Sequence, residues 1–321
     1  MIENRSHSSE AAVVETTVLA LRDYFTRHRA MHCLVLVDPQ PRALPQPAKG
    51  KPSLAALPRA TIAIKHEAFP ADHQPYLLSL DPTKPHFGWL LGESVRVALA
   101  DRRPDAVSRG PGQRIGGWLA TASSADEIAV HLSQHALQTD DRGKTCVLRF
   151  QDSRAFALLW PCLTLMQRET LLGPVKTWHA LDAGARLTGY TGLYDAMVKD
   201  LMLKPEQWAA IRRHGIVNRA IALHMNATDR QPTPEEIGVA VAAAGRAHLY
   251  GLDRADALFF IDQALTWHPH FDSHPRILKA LGEVSPDHFY AAAAGELSEQ
   301  EIDEIKGGAW YVNNNIGTFT A

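Results

Sequence analysis

Cysteine is scarce. Cys33, Cys146 and Cys162 are the whole complement of 321 residues, and no two of them stand in a Cys-x-x-Cys pair. An odd, widely spaced set excludes a disulfide framework and a zinc knuckle, and it fits a reducing cytoplasm. Net charge is nearly absent as well, a formal −2 from 33 basic and 35 acidic residues. Nucleic acid demands a concentrated basic face, so no nucleic-acid partner is expected. Arg102, Arg103, Arg109 and Arg114 do cluster, but Asp101 and Asp105 lie among them, and mixed-sign charge reads as a solvated loop. Long apolar runs are missing too. The longest, residues 155–166, is interrupted by Pro161 and Thr164 and is too short to span a bilayer; residues 1–30 hold no basic-then-apolar leader pattern. Neither a membrane partner nor export is expected.

The usual marks of catalysis are also lacking. There is no Gly-x-Ser-x-Gly elbow, and Gly110-Pro-Gly-Gln-Arg-Ile-Gly116 has neither the spacing nor the preceding strand of a nucleotide loop. Histidine is plentiful, with sixteen. His131 and His135 stand four apart on one helical face, but no glutamate sits between them as in His-Glu-x-x-His, so they read as core or boundary residues. His268-Pro-His270, Asp272 and His274 form a denser set in what reads as a helix–helix loop, where such residues act as caps and turns. The alternative for that set is a metal-dependent hydrolase. The expectation is no enzyme, no metal and no cofactor.

What is present is a clear pattern of elements. Residues 9–29 space Val14, Val18, Leu21 and Phe25 on one helical stripe. Strands are expected at 33–37, 61–64, 76–80, 115–121 and 146–150, separated by a proline-rich loop at 39–58, a helix over 88–100, and a capped helix opened by Ser124 and Glu127. The last strand follows the turn signal Asp140-Asp-Arg-Gly143 and is expected to be largely buried. Asp152 or Ser153 then starts a helix with Phe156, Leu159, Trp160 and Leu163 on one stripe, kinked or restarted at Pro161. Residues 175–180 and 185–190 read as a closing hairpin. The fold class is therefore α/β (α+β): an N-terminal lobe with a mixed sheet flanked by helices. From residue 193 alanine becomes abundant and helix starts recur at Pro205, Thr233, Asp253 and Ser298, giving an all-α C-terminal lobe. Its expected buried stripes are Ile237, Val241, Ala244 and His248, then Leu258, Ile261 and Leu265. The boundaries read as 1–191, 192–306 and an extended aromatic tail at 307–321.

Arg149, Asp152, Arg154 and Gln167 sit among these apolar elements, and charge in such a setting needs a partner. Flanking arginines strengthen the acidity of Asp152, which suits an ion pair better than a general acid. The string Leu148-Arg-Phe-Gln-Asp-Ser-Arg154, followed by Gln167 and Leu172-Gly-Pro-Val175, resembles the signature of the type VI secretion effector chaperone and adaptor family, whose pattern here is Leu-Arg-Phe-Tyr-Asp-Pro-Arg. Gln151 replaces the tyrosine and Ser153 the proline. Trp118, followed by Ser124 and by His131-Leu132, is similar to a further part of the family pattern.

The resemblance implies motif positions at Trp118, Leu148, Arg149, Phe150, Asp152, Arg154, Gln167, Leu172, Gly173 and Pro174, read as structural rather than catalytic. It implies a non-enzymatic cytoplasmic protein that binds a cognate type VI effector and loads it onto the VgrG spike, with or without a PAAR-containing tip. A toxin-neutralising immunity protein is the other binding role to be weighed. The aromatic tail reads first as an extended segment docked on the protein's own lobes and, alternatively, as a partner-binding peptide of the strand-addition kind. In the second reading Trp310, Tyr311 and Phe319 are candidate partner contacts, because interface cores favour aromatic residues.

Overall fold

The computed structural model describes residues 2–39, 42–46, 50–67, 69–110, 112–192, 200–285 and 287–311, with backbone alone for 2–10. The chain divides into two compact units, Met1–Ile211 and Arg212–Ala321, and the division falls inside a helix.

In the first unit, near-continuous apolar runs build central strands that are buried on both faces, while the edge strands are partly exposed. After helix α1 (Ile2–Arg27) come β1 (His32–Val37), β2 (Arg59–Thr61), β3 (Tyr76–Leu80), α2 (Phe87–Ala100), α3 (Pro104–Ser108) and β4 (Ile115–Thr121). Then follow α4 (Ala125–Ala136), β5 (Leu137–Thr139), β6 (Thr145–Val147), α5 (Ser153–Leu159), α6 (Leu165–Leu172), β7 (Val175–Leu181) and β8 (Leu187–Thr191). Six strands form one sheet in the order β2-β3-β1-β4-β7-β8, with every neighbouring pair antiparallel. Successive side chains leave a strand on opposite faces, and the core divides accordingly. Leu34, Leu36, Leu77, Leu119 and Trp178 meet Ile128, Leu132, Phe156, Leu159 and Leu171 of α4, α5 and α6. Cys33, Val35, Leu78 and Trp118 meet Leu21 and Phe25 of α1 and Leu91 and Val95 of α2. The expected sheet flanked by helices is present.

Two expected strands are displaced. The segment expected as a strand at 61–64 pairs with β3 only through Arg59–Thr61. Beyond it the Ile62 N–H still reaches the Pro75 carbonyl (2.8 Å), and then side chains take over, with the Ala63 N–H donating to Ser133 Oγ (2.8 Å) and the Ile64 N–H to Gln74 Oε1 (2.6 Å). The segment 146–150 is not a strand of the main sheet. Thr145–Val147 pairs with β5 in a separate hairpin. Leu148 and Phe150 lie in irregular chain, where the Phe150 N–H bonds back to the Leu148 carbonyl at 2.9 Å.

Two glycines in β4 let the layers close. A Cβ on Gly116 would collide with the Gln151 carbonyl and lie 2.9 Å from Leu36 Cδ2. Gly117, at φ +151°, would collide with the His179 carbonyl. The second glycine thus combines a backbone conformation that favours glycine with a space only glycine fits.

The helix that starts at Pro205, α7 (Pro205–Thr228), is followed by α8 (Pro234–Leu249), α9 (Arg254–Thr266), α10 (Pro275–Gly282), α11 (Tyr290–Gly295) and α12 (Glu299–Gly307). Capping boxes open α8 at Thr233/Glu236 and α12 at Ser298/Glu301. The second unit is largely helical, as expected, but its buried stripes are partly different. On α8 the inward ridge is Ala240, Ala243, Ala244 and Ala247, while Val241 and His248 are exposed. Methyl side chains let α8 lie close along α9, so the alanines face inward and the larger residues outward. On α9 the ridge is Ala257, Phe260, Ile261 and Ala264, with Leu258 and Leu265 half-buried.

Candidate functional site

The motif segment leaves β6 as irregular chain that alternates buried and exposed side chains. Leu148 and Phe150 are buried in the α4–α6 core, and Phe150 meets Trp178 edge-on at 6.1 Å. Arg149, between them, is exposed. The expected charged trio is therefore a different set, made of Asp152, Arg154 and a residue that sequence reading put in a solvated loop, Arg102.

Asp152 is the N-cap of α5, accepting the Arg154 N–H at 3.0 Å. Its two carboxylate oxygens also accept from the Arg154 guanidinium, at 3.1 and 2.8 Å. Arg102 is buried and donates to Ser153 Oγ (2.9 Å) and to the Leu181 carbonyl (2.7 Å), so it ties the start of α5 to the end of β7. Burial raises the Asp152 pKa, but Arg154 and then Arg102 outweigh it and hold the carboxyl below its ordinary value. Burial and the neighbouring Arg154 charge lower Arg102 to about 10, which leaves it charged at neutral pH. Arg154 is shifted upward, because the pull of Asp152 exceeds the burial penalty. A carboxylate held ionised in this way cannot serve as a general acid near neutrality. Its chemistry here is that of a buried ion pair, in which loss of one member leaves the others uncompensated.

A second buried carboxylate lies next in sequence to Arg102. Asp101 accepts from the Arg114 backbone N–H (3.0 Å) and from its guanidinium (3.0 and 2.7 Å), and it also meets Arg42. The reading of this cluster as a solvated loop is corrected for Asp101, Arg102 and Arg114, which are buried or half-buried; Arg103, Asp105 and Arg109 are exposed as expected, but on and around the short helix α3 rather than in a loop. The mixed charges that argued for solvent are the pairs that allow burial. The available signal was that Asp101 and Arg102 directly follow an apolar helix.

The other motif positions are dispersed. Trp118 lies on the opposite sheet face from Leu148, Phe150 and Leu172, its indole N–H on Ser94 Oγ at 2.8 Å. Gln167 closes a capping box with Thr164. Its amide donates to the Leu201 and Met202 carbonyls (2.9 and 3.2 Å) and pairs reciprocally with that of Gln207. Gly173 ends α6 at φ +52°, where a Cβ would collide with His131. The Pro174 carbonyl accepts from the Thr121 hydroxyl at 2.9 Å. A cavity of roughly 370 Å³ is lined by Leu44, Ala55, Arg59, His73 and Tyr76 among others, and no motif residue reaches it.

The histidines are engaged locally. His131 Nε2 meets the Leu171 carbonyl at 3.1 Å, and burial lowers His131 and takes His135 to about 4. In the second unit Asp272 is held by Arg246 (2.8 Å), His274 caps α10, and His270 stacks on Tyr311 at 4.8 Å. Among the described residues, no three His, Cys, Asp or Glu side chains are grouped to share a cation. Trp310 is buried against His268 and His274, with its N–H on the Ile305 carbonyl at 3.1 Å, and Tyr311 is half-buried. Phe319 lies outside the described residues. Among those residues no helix is long and apolar enough to cross a membrane.

What the fold and the motif define is an α/β unit that buries paired and hydrogen-bonded charges, followed by a helical unit. Residues 63–170 match the family described as "Domain of unknown function (DUF4123)". The match includes Trp118, the string from Leu148 to Arg154, and Gln167; Leu172, Gly173 and Pro174 lie past its last residue. Neither a curated protein nor a solved structure matches the chain.

Proposed function

We propose that this protein is a non-enzymatic chaperone and adaptor, which binds a cognate type VI secretion effector in the cytoplasm and loads it onto the VgrG spike, with or without a PAAR-containing tip. The observation that carries the reading is the DUF4123 match at 63–170, laid over the string from Leu148 to Arg154 that resembles the effector-adaptor signature. The use of Arg102 and Gln167 to join elements of the fold, with Asp152 and Arg154 paired at the start of α5, supports a scaffold for binding rather than a reacting centre. In this reading no bond is made or broken. The protein covers an effector segment that would otherwise aggregate and releases it at the spike, so an interface of moderate affinity suits it better than one of maximal area.

The test is co-purification of the full chain with the product of an adjacent effector gene and with VgrG. Stable capture of both is the expected result, and clean failure to capture either overturns the reading. Rescue of growth in cells that express the toxin but have no secretion apparatus would point to neutralisation instead.

A further inference from the structure

Tryptophan is usually drawn inward, yet Trp89 on α2 remains 41% exposed. Its orientation is fixed: the indole N–H donates to the Pro52 carbonyl at 2.9 Å. One turn further on, Glu93 accepts from Ser53 Oγ (3.0 Å) and from the Leu54 N–H (3.1 Å), so both its oxygens are committed to holding the 50–54 loop against the helix. Pinned in this way, the loop places Lys51 Nζ 4.4 Å from the centre of the Trp89 ring. The Arg96 guanidinium approaches the same ring at 5.5 Å, folded back over Gly92. Arg22 of α1 lies beside Gly88, the residue before Trp89. Among the described residues none of these three cations has a carboxylate within ion-pair distance, whereas Arg109, Arg186 and Arg230 each hold one.

We propose that this face, an exposed indole with Lys51 and Arg96 over its ring and Arg22 at the neighbouring Gly88, docks an acidic polypeptide segment that carries apolar side chains between its carboxylates. Charge complementarity selects the occupant. The ring supplies apolar contact area and the cations supply attraction, while Glu93, tied to the 50–54 loop by its hydrogen bonds, is one carboxylate against three cations. Three cations on one short face are too few for the phosphate tracking that nucleic acid requires. The proposal rests on the adaptor reading for its biological sense, since the segment would belong to the effector or the spike.

The test is fluorescence anisotropy on the full chain with a labelled synthetic peptide of repeating Glu-Leu-Asp, its neutral Gln-Leu-Asn counterpart, and a single-stranded oligonucleotide. The variants are Trp89→Ala and the pair Lys51→Glu with Arg96→Glu, all surface changes whose folding is checked by circular dichroism. The acidic peptide is expected to bind, and to lose about tenfold or more in affinity in the charge-reversed variant. Binding should also weaken as salt rises from about 50 to about 300 mM. Equal binding of the neutral peptide, tighter binding of the oligonucleotide, indifference to charge reversal, or no binding overturns the proposal. The two readings fail separately. If the charge-reversed protein still captures effector and VgrG, the surface is wrong and the adaptor stands. If the peptide binds as expected but neither partner is captured, the surface stands and the adaptor falls.

Discussion

Two residues mark where the chain departs from the family signature it resembles, and the structure treats them in opposite ways. Ser153, in place of proline, accepts a hydrogen bond from the buried Arg102, a role proline cannot fill. Gln151, in place of tyrosine, is fully buried, and neither polar atom of its amide has a hydrogen-bond partner. A buried amide without partners loses its hydration and gains nothing in return. Gln151→Met keeps the length of the side chain and removes the unpaired atoms, so it should raise stability by about 1–3 kcal/mol. The denaturant midpoint reads this directly; an unchanged or lowered midpoint would show that a water or another group satisfies the amide. The motif string is therefore legible as a string, but what each residue does in it is not. The apolar and aromatic composition correctly marked Leu148 and Phe150 as buried, but it wrongly implied a strand of the main sheet, and Arg149, read with Asp152 and Arg154 as part of the charge network, is exposed. Side-chain periodicity reports which groups leave water and says nothing of where the backbone hydrogen bonds go. Here they go to Ala136 and back to Leu148 itself.

Helix starts show the same division between local and distant causes. Ser124/Glu127, Thr233/Glu236 and Ser298/Glu301 are visible because both partners lie within three residues. Thr164 and Gln167 carry the same spacing, and reading Gln167 as a motif residue hides it. The start of α11 could not be found this way. Its N-cap position, Phe289, offers no acceptor, and the carboxylate of Asp256, a full helix away on α9, takes the Tyr290 and Ala291 N–H groups at 2.7 and 3.0 Å. A cap supplied from 34 residues away has no sequence signature. Asp256→Ala removes it and should cost about 1–2 kcal/mol, in the range of ordinary cap removals. The sharper readout is amide exchange at Tyr290 and Ala291, which should accelerate relative to the interior of α9. Uniform acceleration across the second unit would mean that Asp256 acts through packing and not as a cap.

At the scale of the whole molecule, the change in composition near residue 193 pointed to a helical second part, but the division into compact units falls after Ile211, inside α7, and the sequence carried little of how charge and imidazole are buried. The histidines are expected to set the acid limit of stability. Burial takes His135 and His179 to about 4 in the first unit and His214 to about 4 in the second, and lowers His131 from 6.5. In each case the folded value lies below the unfolded one, so between the two the unfolded chain binds the proton that the folded chain refuses. Their contribution is therefore fully present above about pH 6.5 and is lost progressively as pH falls from there towards about 4. Asp152, also lowered, has the same sign in a more acidic window, below the ordinary carboxylate value of 3.8. The thermal midpoint should thus be flat between about pH 7 and 8 and begin to fall between about pH 6.5 and 5.5, above the range in which exposed carboxylates titrate. His135→Gln, which cannot take the proton, should flatten part of that slope while lowering the midpoint at neutral pH. A fall that begins only below about pH 4.5 in both proteins would assign acid sensitivity to the carboxylates alone.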